Sequence, residues 1–126
     1  MQPSTNHPKT QNHNKGSKAE DMAVEHLVSK GYTIEHRNWR GYKYEIDIIA
    51  SINNTIVFVE VKSRKDNSFG WPEKAVTRTK INHISKAANE FLQLYPTENE
   101  LRFDIVSITQ IGQEKEIYHI EDAFVP

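Results

Sequence analysis

The chain has no cysteine. That absence excludes disulfides, zinc–thiolate sites and cysteine nucleophiles, and it fits a reducing compartment. No apolar run approaches the ~20 residues of a membrane span, and the first residues lack the apolar core of a signal peptide, so a cytoplasmic protein is expected. No internal repeat is visible. Charge of one sign is not in excess either, the formal net charge being −1. What is present is one domain's length: 126 residues, 26% charged and 37% hydrophobic, enough for a sheet covered by helices.

The small net charge hides an uneven distribution. Residues 1–36 carry four basic and four acidic side chains, residues 37–86 ten and five, and residues 87–126 two and eight, so the middle is +5 and the tail −6. A basic middle segment suits the approach of a phosphate backbone, although a solvated charged surface can look the same.

Within that basic segment lies an acidic cluster. Residues 44–64 read as two apolar, β-branched runs flanking Asn53 and Asn54. Two asparagines can take the positive φ angles of a two-residue hairpin turn, so an antiparallel hairpin is expected, with Ile52 facing Thr55. This register sets Asp47 opposite Glu60 and Glu45 opposite Lys62. Alternation puts all four on one end of one face, and Ile46, Ile48, Ala50 and Ile52 with Thr55, Val57, Val59 and Val61 on the other. Two carboxylates directly across a strand pair repel each other unless something positive lies between them. Lys62 is one candidate and a divalent cation another; hard cations such as Mg²⁺ take carboxylate oxygens and suit phosphoryl chemistry. A buried ion pair between Lys62 and one acid is the purely structural reading.

The remainder of the chain frames this hairpin. Residues 1–15, rich in Asn, Gln and His, read as a disordered arm, and residues 16–126 as a single domain. The spacing of Ala19, Met22, Ala23 and Leu27 predicts a helix from Ser17 to Lys30, ended by Gly31. Ser17 and Glu20 have capping-box spacing, yet Glu20 can equally project toward the acidic cluster. A strand is expected over residues 32–37 and an irregular stretch through Asn38, Trp39 and Arg40. Arg37, Arg40, Lys43 and Arg64 are candidate phosphate contacts, with Trp39 more suited to closing a core edge than to stacking on a base. Residues 65–72 carry the turn formers of a substrate-contacting loop. A second helix over residues 77–94 buries Ile81, Ile84, Ala88, Phe91 and Leu92, and offers Lys80 on its other face to a phosphate. Residues 101–109 and 116–120 read as two strands joined around Gly112. Arg102 pairs with Asp104, and His119 is structural rather than catalytic. The element order implies an α/β sandwich with the hairpin central.

An acid followed a hairpin later by Glu60, Val61 and Lys62 resembles the Asp…(Asp/Glu)-x-Lys signature of restriction-endonuclease-like nucleases. Lys15 and Gly16, Glu20, Gly31 and Tyr32, Arg37 to Arg40, Glu45 to Ala50, Val57 to Arg64, Phe69 and Gly70, Lys80, and Arg102 to Asp104 together resemble the YraN-like family of uncharacterised bacterial proteins. Tyr44 and Ala19 stand where that family commonly has Gly. The resemblance implies a restriction-endonuclease-like fold, with a central mixed β-sheet flanked by helices. It also implies kinship with archaeal Holliday-junction resolvases, and so a metal-dependent endonuclease acting on DNA, branched or structured DNA included, with a homodimer as one arrangement. By position it makes Glu20, Asp47, Glu60 and Lys62 catalytic. Asp47, Glu60 and the Val61 carbonyl would hold Mg²⁺ or Mn²⁺. The alternative is a non-catalytic nucleic-acid-binding scaffold that keeps the fold.

Overall fold

The computed structural model describes residues 11–64 and 76–125. The proposed loop over residues 65–72 and most of the expected N-terminal arm lie outside them. Two helices and five strands follow in the order α1 (Gln11–Ser29), β1 (Thr33–Arg40), β2 (Glu45–Ile52), β3 (Thr55–Arg64), α2 (Arg78–Leu94), β4 (Glu100–Ile111) and β5 (Glu114–Ile120). No helix among the described residues is long and apolar enough to cross a membrane.

The strands form one sheet in the order β1-β2-β3-β4-β5. Only β3 and β4 run parallel, and α2 is the crossover that a parallel pair requires. The expected hairpin is present in the expected register, from Ile52↔Thr55 to Ile48↔Val59. Both turn residues take left-handed angles, Asn53 at φ 49° and Asn54 at φ 61°, as a primed two-residue turn demands.

Both faces of the sheet are buried. Ala19, Ala23 and Leu27, spaced four apart on α1, pack with Ile48, Ala50, Val57, Val59, Val106 and Ile108. On the other face Ile84, Ala87, Ala88 and Phe91 of α2 pack with Ile46, Ile49, Phe58 and Phe103. Phe91 makes edge-to-face contacts with His36, Trp39 and Phe58 at centroid distances of 5.3, 5.3 and 6.0 Å, and this fixes α2 over the hairpin. Trp39 therefore closes a core edge.

Several expectations are corrected. Helix α1 begins by Gln11, not Ser17, so Ser17 lies inside the helix and is not its N-cap. Once nucleated on the Ala19–Leu27 stripe, a helix extends through polar residues at little cost. Strand β1 runs on through Arg40, because residues 37–40 have β2 to pair with. Ile46 belongs to the α2 cluster and not, as strict alternation requires, to the face of Ile48. The pleat thus breaks at Asp47, where the regular β2–β3 ladder also ends.

Helix α1 stops as its sequence dictates. Gly31 has φ 95°, its N–H donates to the Val28 carbonyl at 3.0 Å, and the Tyr32 N–H donates to Leu27 at 3.0 Å. This is the Schellman pairing, and it delivers Tyr32 back to the core. A Cβ on Gly31 would meet nothing within 4 Å, so the cost of adding one is conformational. Gly31→Ala should lower stability by roughly 1–2 kcal/mol, read as a fall in melting temperature with unchanged circular dichroism at 20 °C.

Candidate functional site

Asp47 and Glu60 come together where β2 leaves the ladder. One Asp47 oxygen, Oδ2, accepts the Val61 N–H at 2.8 Å. It thereby takes the place of a ladder carbonyl from β2 and satisfies a donor that would otherwise be orphaned. Glu60, buried, interacts with Asp47, and the interaction favours the charged form of Asp47 and the protonated form of Glu60. Burial first, and then the Asp47 charge, push the Glu60 carboxyl up to about 8, against the attraction of Lys80 and Lys62. Burial also raises Asp47, against the Val61 N–H and the charge of Lys80. Burial thus biases both carboxyls toward their neutral forms, and mutual repulsion disfavours a doubly ionised pair.

Lys80 reaches this pair from α2. Thr77 caps that helix by accepting the Lys80 N–H at 3.1 Å, which fixes the first turn. The Lys80 ammonium then lies 3.8 Å from Glu60 Oε2. Beside it, His83 stacks on Tyr44 with ring centroids 4.0 Å apart. Lys62 is half-buried on β3 and adds a second positive charge to the surroundings of Glu60.

Glu20 approaches from the opposite layer and is tied down. Its Oε1 accepts from Arg37 Nε at 3.1 Å, from the Arg37 Nη2 at 2.8 Å and from Asn38 Nδ2 at 3.0 Å. Consecutive strand residues normally point to opposite faces. Here Asn38 has φ 54°, and this left-handed step lets both neighbours converge on one carboxylate. Burial raises the Glu20 carboxyl, Arg37 and Asn38 oppose that, and the Asp47 charge adds to the rise, which places Glu20 within electrostatic reach of the pair.

The other proposed contacts scatter around this centre. Arg37 is spent on Glu20 and on Asp21, at 2.6 Å. Arg40 lies 3.5 Å from Glu45, which pairs with it across β1 and β2 instead of standing opposite Lys62. Lys43 sits over the Tyr44 ring at 5.7 Å. Arg64, at the end of β3, lines a cavity on the α1 side. Sequence reasoning missed Asn38 as a support of Glu20. Its only signal was an asparagine, tolerant of positive φ, beside Arg37.

A hard divalent ion fits the donor set. Two carboxylates that cannot both ionise alone supply oxygen ligands, and the proton between them is what a cation would displace. Asp47 and Glu60 would hold it, with the Val61 carbonyl as the third ligand proposed from sequence. Among the described residues no group of three or more His, Asp or Glu side chains is arranged to hold a metal, and Glu20 Oε1 is engaged by β1.

What the fold and site define is a small α/β protein, a five-stranded mixed sheet between two helices, with a pair of acids, buried Glu60 and half-buried Asp47, at the end of its central hairpin. The profile of the uncharacterised protein family UPF0102 matches residues 19–108, and the chain belongs to that family. Similar relatives carry only the family's name. The UPF0102 protein of Phocaeicola vulgatus is 41% identical over 111 residues, 88% of this chain and 92% of its own. That of Flavobacterium psychrophilum is 44% identical over 109 residues, 86% and 92% of the two chains. That of Caldicellulosiruptor saccharolyticus is 47% identical over 94 residues, covering 74% and 80%. The YraN-like resemblance is thus shown as family membership.

A carboxyl raised in the folded state contributes stability that is present below its unfolded value and lost as pH rises through its folded one. For Glu60 that window runs from 4.5 to about 8. Without divalent ions, the melting temperature should fall as pH is raised across this window, and Glu60→Gln should flatten the fall. Each kcal/mol recovered corresponds to roughly 2–8 °C in a domain of this size. An unchanged slope in the variant would contradict the raised Glu60 carboxyl.

Proposed function

We propose that this chain is a divalent-cation-dependent endonuclease of restriction-endonuclease-like fold, hydrolysing phosphodiester bonds in DNA in the cytoplasm. The observation that carries the reading is the acid pair itself, half-buried Asp47 accepting the Val61 N–H at 2.8 Å and buried Glu60 lying 3.8 Å from the Lys80 ammonium, with Lys62 on the same strand. A structural ion pair gains nothing from a second repelling acid, whereas a cation site needs both.

Each residue then has a role. Asp47 and Glu60 hold Mg²⁺ or Mn²⁺, with the Val61 carbonyl beside them. When bound, the cation supplies charge neutralisation and makes water a usable nucleophile at neutral pH. Lys62 orients the attacking water and takes up charge developing on the phosphoryl oxygens. Lys80, held near Glu60 by the α2 cap, is placed to meet a non-bridging phosphate oxygen. Glu20 acts from its Arg37–Asn38 cradle as an outer acid positioning water. Arg40, Lys43 and Arg64 flank the centre as backbone contacts. Branched DNA and a homodimer, which would coordinate two cuts, extend the same reading.

A second reading is favoured by the state of Glu20. Its Oε1 accepts three hydrogen bonds from Arg37 and Asn38, as suits a nucleic-acid-binding scaffold that no longer cuts. Calorimetric titration with Mn²⁺ separates the two: binding lost in both Asp47→Ala and Glu60→Ala supports the enzyme, and absence of binding in the parent supports the scaffold.

Cleavage itself is read on a panel of single-stranded, duplex, flap and four-way DNA plus RNA with Mg²⁺ or Mn²⁺. Asp47→Asn, which keeps an acceptor for the Val61 N–H, and Lys62→Ala should each lower the rate by at least ~10²-fold with folding intact. Variants that cut branched DNA as well as the parent would overturn the assignment.

A further inference from the structure

A cavity of 230 Å³ opens on the α1 side of the sheet, at the same end of β3 as the acid pair. Among the described residues Lys18 of α1, Arg64 and Ser63 of β3, Gln110 of β4 and Lys115 of β5 line it, with Met22 on its wall and no acidic residue. Three cations and no carboxylate among the described lining residues are unexpected in a chain whose net charge is −1. The placement is built by the fold. Lys115 shares a face with Ile117, which packs against the α1 core, so its neighbours Glu114 and Glu116 point away from the cavity. Glu116 is moreover engaged by the Tyr118 hydroxyl at 2.6 Å. On α1, Asp21 is engaged by Arg37.

The ammonium groups here are poorly matched. Lys115 Nζ rests 4.0 Å from the Met22 thioether, a weak acceptor. Neither Lys18 nor Lys115 has a carboxylate within 4.0 Å among the described residues. A concave site lined by cations, an amide and a hydroxyl over an apolar wall suits a tetrahedral oxyanion, whose oxygens accept from all of them.

We propose that this cavity is a cradle for a backbone phosphate of the DNA strand, beyond the bond that is cut, with Lys18 and Lys115 as its principal charges. The proposal rests on the nuclease reading for its substrate. Arg64 lies four positions along β3 from Glu60, roughly 13 Å at 3.3 Å per residue, a span of more than one nucleotide along a strand. The cradle therefore holds the strand beyond the nucleotide that carries the reacting phosphate and sets a minimum length on that side.

The test is anisotropy of a labelled 20-base-pair duplex titrated with the full chain in EDTA, so that no cleavage intervenes. The variants are Lys18→Gln with Lys115→Gln, and a control of Lys30→Gln with Lys86→Gln, two lysines outside the cavity. The cavity pair should bind about 10-fold or more weakly, and its slope of log K against log salt should be shallower by about one, at ~0.9 for the phosphate no longer neutralised. The control should stay close to the parent. Equal affinity and slope in the two double variants would overturn the cradle, as would tight binding of inorganic phosphate that depends on Lys18 and Lys115 while DNA binding does not. If the cavity pair is silent while Asp47→Asn abolishes cleavage, the cradle falls alone. If it weakens DNA binding and no variant or parent cuts, the nuclease reading falls and the phosphate site stands.

Discussion

Two carboxylates share one end of a hairpin with room for only one negative charge between them. Much of the structure around Asp47 and Glu60 follows from that constraint. Asp47 leaves the pleat to accept the Val61 N–H, and the ladder ends where it does so. Lys80 is delivered to Glu60 by α2, which is anchored through Phe91 against His36, Trp39 and Phe58. Glu20 comes from α1 but is held back by Arg37 and Asn38, so the third acid sits near the pair without joining it. Core packing thus sets the electrostatics, since each layer contributes one charged group to the same end of the sheet.

A second buried acid gives the contrast. Asp104 is 0% exposed, against 5% for Glu60, yet its carboxyl lies below the usual range and not above it. Burial alone would raise it, but His119 at 2.8 Å, Arg102 at 2.9 and 2.8 Å, and the Asp122 N–H at 2.9 Å outweigh burial. Asp104 is a completed network that ties β4 and β5 to the C-terminal segment. Glu60 has an acid and an ammonium at 3.8 Å where Asp104 has four hydrogen-bond contacts. Near-equal burial with opposite satisfaction separates an acid that holds the fold from one whose carboxyl is raised beside a second acid.

Local chemistry was legible in the chain. The Asn53–Asn54 turn fixed the hairpin register, Gly31 the end of α1, and apolar spacing the buried face of α2. The pairing of Arg102 with Asp104 and the structural place of His119 followed from a shared strand face and a short strand. What could not be read depends on departures from ideal periodicity. Strict alternation put Ile46 with Ile48 and Glu45 opposite Lys62, but the kink at Asp47 sends Ile46 to the α2 core and leaves Glu45 with Arg40. Asn38 supports Glu20 only through a left-handed backbone step that no pattern of residue types encodes. Lys80 stood out in the sequence only as a cation near the loop after β3, and its approach to Glu60 depends on how a helix crosses the sheet.

Membership of family UPF0102 brings relatives similar along most of this chain, so the arrangement can be tested in several of them. The central claim concerns one proton. Carbon-13 NMR of the side-chain carboxyls, followed through pH titration without divalent ions, reports it directly. Glu60 should titrate near pH 8, and saturating Mg²⁺ should move that midpoint downward by displacing the proton. A Glu60 midpoint in the ordinary carboxylate range, unmoved by Mg²⁺, would contradict the account.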